Sequence, residues 1–113
     1  MKMKIHFGVL AMAAVAALVA FQLFSGLALA DHLAEALEHA KDAVVHGKQG
    51  HADALVKHAQ EALKHAEAAG MKNPHLDEGI AHLKEAVNHG LAPHITVATQ
   101  HAESAVNQLS EVK

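Results

Sequence analysis

From Leu33 onward the apolar residues return at intervals of three and four, the spacing of helices that each bury one stripe. The first stripe is Leu33, Ala36, Leu37, Ala40, Ala43 and Val44, which predicts a helix from about Asp31 to His46. Gly47 stands where a C′ glycine would end it, and the short run from Gly47 to Gly50 forces the next helix to return antiparallel. Ala52, Leu55, Val56, Ala59, Ala62, Leu63 and Ala66 mark that second helix, which stops at Gly70. Asn73 and Pro74 then read as an N-cap and a first-position proline. The third stripe, Leu76, Ile80, Leu83 and Val87, is interrupted by Gly79, which costs up to about 1 kcal/mol relative to alanine. Gly90 ends this helix as Gly47 ends the first, and Pro93 opens a fourth with Ile95, Ala98, Ala102, Ala105, Val106, Leu109 and Val112 on its apolar face.

The two halves of this region resemble each other. Sliding residues 31–65 onto 74–108 matches thirteen positions, among them Gly47 with Gly90 and Lys41 with Lys84. One helical hairpin cannot bury its own stripe, so the expected fold is all-α: an antiparallel up-down four-helix bundle from a duplicated hairpin. Its core is thin. Seventeen alanines and no Phe, Tyr or Trp in residues 31–113 mean closely packed helices and a marginally stable apo form.

The first thirty residues have a different composition and read as a signal peptide. Lys2 and Lys4 give a basic start, Val9 to Phe21 is an unbroken apolar run, and Ala28-Leu29-Ala30 is a small-residue cleavage site. Two domains follow from this reading, a signal peptide over 1–30 and a histidine-rich bundle over 31–113. A retained anchor is the alternative, because Ile5 to Ala30 is long enough to span a bilayer. Cleavage after Ala30 implies a periplasmic or exterior protein with no stable membrane association. The absence of cysteine excludes both a lipoprotein anchor and any disulfide.

The polar pattern carries the chemistry. Histidine recurs every seventh residue at His32, His39 and His46, then at His51, His58 and His65. The rhythm resumes at His75, His82 and His89, and again at His94 and His101, with Gln108 where the next would fall. Seven residues is nearly two turns, so each run forms one file along a helix with members about 10.5 Å apart, on the flank of the apolar stripe. No two members of one file can hold the same metal, since ligand bonds of about 2.0 to 2.1 Å cannot span that gap. Partners must come from carboxylates three or four residues away, or from another helix. Glu35 and Asp42 alternate with the histidines of the first helix, Glu78 and Glu85 with those of the third, and Glu61 is the counterpart in the second. Across a hairpin, residues equidistant from the turn pair His46 with His51, His39 with His58, His32 with His65, His89 with His94 and His82 with His101. Stacked hairpins give three layers, the lowest completed by His75 and Gln108. Bundle handedness decides whether imidazoles converge within each hairpin or between hairpins, where His58 would meet His82.

Beyond Ala30, seven lysines face twelve carboxylates, a net charge of −5 with histidine neutral. That balance suits cations and argues against nucleic acid, whose phosphates need a basic face. Imidazole and carboxylate without thiolate suit Cu(II), Ni(II) and Zn(II), and the divalent order puts copper first. Met71 alone cannot build a thioether site for Cu(I).

With its exported precursor, its cysteine-free mature part and its heptad histidines set among alanine and acidic positions, the chain resembles the small metal-binding protein (SmbP) family of periplasmic histidine-rich proteins. The resemblance implies a four-helix bundle that binds copper and other divalent metals and acts in metal buffering, storage or tolerance. It implies ligand roles for the heptad histidines; Gln108 departs from the pattern and leaves the lowest layer short of a ligand.

Enzymatic readings fit poorly. A di-metal carboxylate bundle needs Glu-x-x-His pairs in the core, whereas here the order is His32-x-x-Glu35 on a flank. A haem bundle is disfavoured because the chain lacks both Cys-x-x-Cys-His and the bulky residues that line a haem pocket. A monomeric, non-enzymatic metal binder is therefore expected, the alternative being a pH-responsive interaction bundle with adventitious metal binding, since imidazole changes charge near neutral pH. The export reading predicts that the mature protein begins at Asp31, which intact mass of the exported form decides. A mass that includes residues 1–30 would establish the retained anchor.

Overall fold

The computed structural model describes residues 28–113; the rest of the expected signal peptide, up to residue 27, lies outside the described residues. Four helices follow in order: α1 Ala28–Lys48, α2 Ala52–Ala69, α3 Pro74–Leu91 and α4 Ile95–Ser110. Each packs chiefly against two neighbours, and α2 and α4 also touch across the diagonal. α1 lies on α2 and α4, and α3 lies on the same two, so the helices form a closed ring in up-down order.

The expected signals for helix ends hold at the middle of the chain. Gly70 closes α2 in the left-handed conformation at φ 62°, and the Asn73 side-chain oxygen accepts from the backbone N–H groups of His75 at 2.8 Å and Leu76 at 3.3 Å. Pro74 fills the first helical position, where its missing N–H costs nothing.

Three boundaries differ from the expectation. α1 passes through Gly47 to Lys48, and the turn is instead made by Gly50 at φ 79°. α3 likewise passes through Gly90 to Leu91. α4 begins at Ile95 rather than at Pro93, because Pro93 forces the preceding Ala92 into an extended conformation at ψ 150°.

Gly47 and Gly90 serve packing, not termination. A Cβ on Gly47 would collide with Thr99 Oγ1 and lie 2.8 Å from Leu55 Cδ1, and one on Gly90 would lie 2.6 Å from Val56 Cγ2 and 3.2 Å from Leu55 Cδ2. The two methyls of one leucine thus enter the hollows left by two glycines on different hairpins. Gly79, which interrupts the third apolar stripe, makes a third hollow, for Leu109.

Along the axis the buried residues are mostly alanine: Ala36, Ala40 and Ala43 of α1, Ala59, Ala62, Ala66 and Ala69 of α2, and Ala98, Ala102 and Ala105 of α4. Leu55, Leu76 and Leu83 are the largest fully buried side chains. Larger apolar groups such as Leu37, Val44, Leu63, Ile80 and Val106 flank this spine and are only partly buried. No helix among the described residues is long and apolar enough to cross a membrane.

Gly47→Ala separates packing from helix propensity. The new methyl gains up to about 1 kcal/mol of helix propensity, but overpacking against Thr99 and Leu55 costs about 1 to 3 kcal/mol. The expected outcome is a lower melting temperature by helical circular dichroism, with a smaller loss for Gly79→Ala, whose nearest neighbour, Leu109 Cδ2, would lie at 2.9 Å. A higher melting temperature for Gly47→Ala would mean that the close approach carries no weight.

Candidate metal centre

Because the histidine files lie on the flanks of the apolar stripes, the alanine spine brings them to the groove between two helices. Eight rings, His32, His39, His46, His58, His65, His82, His89 and His101, are half-buried there, while His51, His75 and His94 are exposed. In the α1–α2 seam His32 Nδ1 lies 3.0 Å from His65 Nδ1, and His39 Nδ1 lies 3.3 Å from His58 Nδ1. His46 and His51 face each other with ring centroids 6.0 Å apart. In the α3–α4 seam the distances are 3.1 Å for His82 with His101 and 3.5 Å for His89 with His94. His75 meets the amide oxygen of Gln108 at 2.8 Å.

Rings on successive rungs also touch. His39 stacks on His65 at 5.8 Å and His46 on His58 at 5.1 Å, with planes 4° and 7° apart. His89 stacks on His101 at 5.5 Å. The file of one helix thus falls between the members of its partner's file and halves the step of about 10.5 Å. The first seam becomes a ladder of six imidazoles in the order His32, His65, His39, His58, His46, His51. The second has four, His82, His101, His89 and His94, and ends where Gln108 replaces a ring.

All these contacts join the two helices of one hairpin. Of the two arrangements left open by the sequence, convergence within hairpins is the one adopted, so four-histidine layers do not close and His58 is not paired with His82. The two seams occupy opposite sides of the ring of helices, as the neighbour relations require.

Among the described residues the carboxylates complete three groups. Glu35, His39 and His65 form one, His39, Asp42 and His58 a second, and Glu85, His89 and His101 a third; in each, one potential ligand atom per residue lies within 4.8 Å of the others. His39 Nε2 is 3.9 Å from Glu35 Oε2, His58 Nδ1 is 3.8 Å from Asp42 Oδ2, and His89 Nε2 is 3.6 Å from Glu85 Oε2. Cross-seam imidazoles and carboxylates of α1 and α3 therefore combine, where the sequence offered them as alternatives. Glu61 and Glu78 belong to none of the three groups. Gln108 meets His75 in the lowest layer, where the sequence places them together.

The spacing fits a cation. Two nitrogens bound to one ion at about 2.0 to 2.1 Å lie about 2.9 to 3.4 Å apart when the angle at the metal is about 90° to 109°. The Nδ1 pairs at 3.0, 3.1 and 3.3 Å already have that separation. The carboxylates are about half exposed, 58% for Glu35 and 55% for Asp42, so water can reach the ion and fill remaining positions.

The family model for "Small metal-binding protein" matches residues 3–112. The chain belongs to that family. Its role is accordingly metal binding and not catalysis, and the three histidine and carboxylate groups are where the fold offers ligands. No protein of curated function matches the chain.

The seam assignment is tested by double-mutant cycles in Cu(II) titration calorimetry. His39→Ala and His58→Ala share a group, so they should be coupled by about 0.5 to 3 kcal/mol, whereas His58→Ala and His82→Ala, on opposite seams, should add. Additivity in the first cycle would mean that each imidazole works without its cross-seam partner.

Proposed function

We propose that this protein buffers or stores divalent transition metal outside the cytoplasm, with Cu(II) as the preferred ion and Ni(II) and Zn(II) as further ligands. The observation that carries the reading is the cross-seam Nδ1 pair beside a carboxylate, already at the separation one cation requires. Nitrogen and carboxylate oxygen without thiolate match Cu(II) chemistry, and copper heads the divalent affinity order. All eleven heptad histidines are assigned as ligands, with Glu35, Asp42 and Glu85 in the first rank and Glu61 and Glu78 as outlying carboxylates that draw cations to the surface.

Several half-exposed groups along two grooves suit reversible capture better than one enclosed reaction centre. The apolar leader with its Ala28-Leu29-Ala30 motif supports export to the periplasm, and the family match beginning at residue 3 includes that leader. The mature bundle, with its closed ring of four helices, then acts as a monomer free of the membrane.

Metal and acid act on the same groups. An ion that binds only the folded state stabilises it by about 2.7 kcal/mol at a hundredfold excess over Kd, a large fraction of what an alanine core provides. Imidazole must be unprotonated to bind, and protonating eleven rings turns the mature charge from −5 to +6. Melting followed by helical circular dichroism should show a clear rise with Cu(II) at pH 7.5 and none at pH 5. Equal melting temperatures with and without copper at pH 7.5 would refute native copper sites, and a rise that persists at pH 5 would assign the metal to carboxylates instead.

A further inference from the structure

His39 is the one residue that two of the three groups share. Its ring turns Nδ1 toward His58, 3.3 Å away, and Nε2 toward Glu35, 3.9 Å away. Asp42 approaches His58 Nδ1 on the first side, and His65, whose ring lies parallel to that of His39 with centroids 5.8 Å apart, completes the group that holds Glu35. Each nitrogen of one imidazole is therefore aimed into a different ligand group, and the lone pairs of an imidazole diverge. The geometry points to a two-metal site in the α1–α2 seam, in which the His39 ring bridges one cation held with Asp42 and His58 and a second held with Glu35 and His65.

The inference rests on the metal-binding reading above and adds the connectivity of its sites. When the first cation binds Nδ1, the ring keeps its proton on Nε2. The second cation displaces that proton, which leaves to solvent, and the ring becomes an imidazolate bonded at both nitrogens. One further proton is released per bridged pair, and no electron is transferred. Bonds of about 2.0 to 2.1 Å on each side of the ring place the two ions about 6 Å apart. That is longer than the roughly 3.5 to 4 Å of a catalytic two-metal clamp, so the pair is a packing device for cations and not a hydrolytic centre.

The second hairpin lacks this arrangement. His82 is the counterpart of His39, but the place corresponding to His65 is taken by Gln108, which meets His75 as His65 meets His32 but offers no imidazole. Only Glu85, His89 and His101 remain as a group there, a site for one ion. The two hairpins are thus unequal in how they hold metal, although their histidine spacing is the same.

Electron paramagnetic resonance of the full chain loaded with Cu(II), set against bound copper from equilibrium dialysis, tests this. Two Cu(II) ions joined by an imidazolate couple their spins, so at low temperature the integrated signal should fall short of the copper bound as both members of the pair drop out. His39→Gln should abolish the shortfall while the second hairpin still binds copper with full signal. His65→Gln, which gives the first hairpin the pattern of the second, should abolish it too. His89→Gln should lower the copper bound and leave the shortfall in place. Unchanged helical circular dichroism checks that each variant folds. Full signal per bound copper in the parent, or a shortfall that survives His39→Gln, overturns the bridge and leaves metal binding standing. Failure of the parent to retain copper in dialysis overturns the metal-binding reading itself, and the bridge with it.

Discussion

The distance between the two helices of a hairpin governs what the histidines can do. An imidazole reaches only a few ångströms beyond its helix, and its nearest neighbour in its own file is too far away to share an ion. Ligand pairs form only if the opposite helix is close and in step. Fully buried alanine at Ala36, Ala40 and Ala43 of α1 and at Ala59, Ala62 and Ala66 of α2 favours that closeness, because small residues let helix axes approach toward the lower end of the usual 8 to 10 Å. Leucines along this spine would bury more apolar area and force the rings apart. The thin core is thus part of the metal site, and its cost in stability is offset when metal binds.

Much of this was legible in the sequence, because helix period and histidine period are both local. The four helices, the Asn73-Pro74 cap, the Gly70 stop and the pairing of residues equidistant from a turn all follow from spacing. Which seam the rings enter was not legible. It depends on the hand in which α2 returns beside α1, a property of the whole bundle that residue spacing does not encode. Gly47 and Gly90 misled for a related reason. A glycine near a helix end reads as a stop, and its real partners, Leu55, Val56 and Thr99, lie on helices that the local sequence cannot place. The carboxylates divided similarly: Glu35, Asp42 and Glu85 reach a cross-seam imidazole pair, while Glu61 and Glu78 share the helical spacing without joining a group.

The similar halves offer different sets of ligands, and positions 65 and 108 are one place where they part. With histidine at 65 the first seam runs unbroken from His32 to His51, and with glutamine at 108 the second begins only at His82. An amide oxygen can accept a hydrogen bond from His75, but it is a far weaker ligand for copper than imidazole. The hairpins therefore share a backbone plan and differ in ligand capacity.

The half-step interleaving of the two files has a consequence for how such proteins can change in size. Each rung is built from one heptad on either helix and touches only the rungs above and below it. Inserting seven residues in both arms of a hairpin would add two rings to the groove and continue the alanine spine in phase, with no alteration to the turns or to existing rungs. The number of ligand groups in this architecture is set by length, as in a column extended by identical courses, and a chain of the same design can offer more or fewer of them without a new fold.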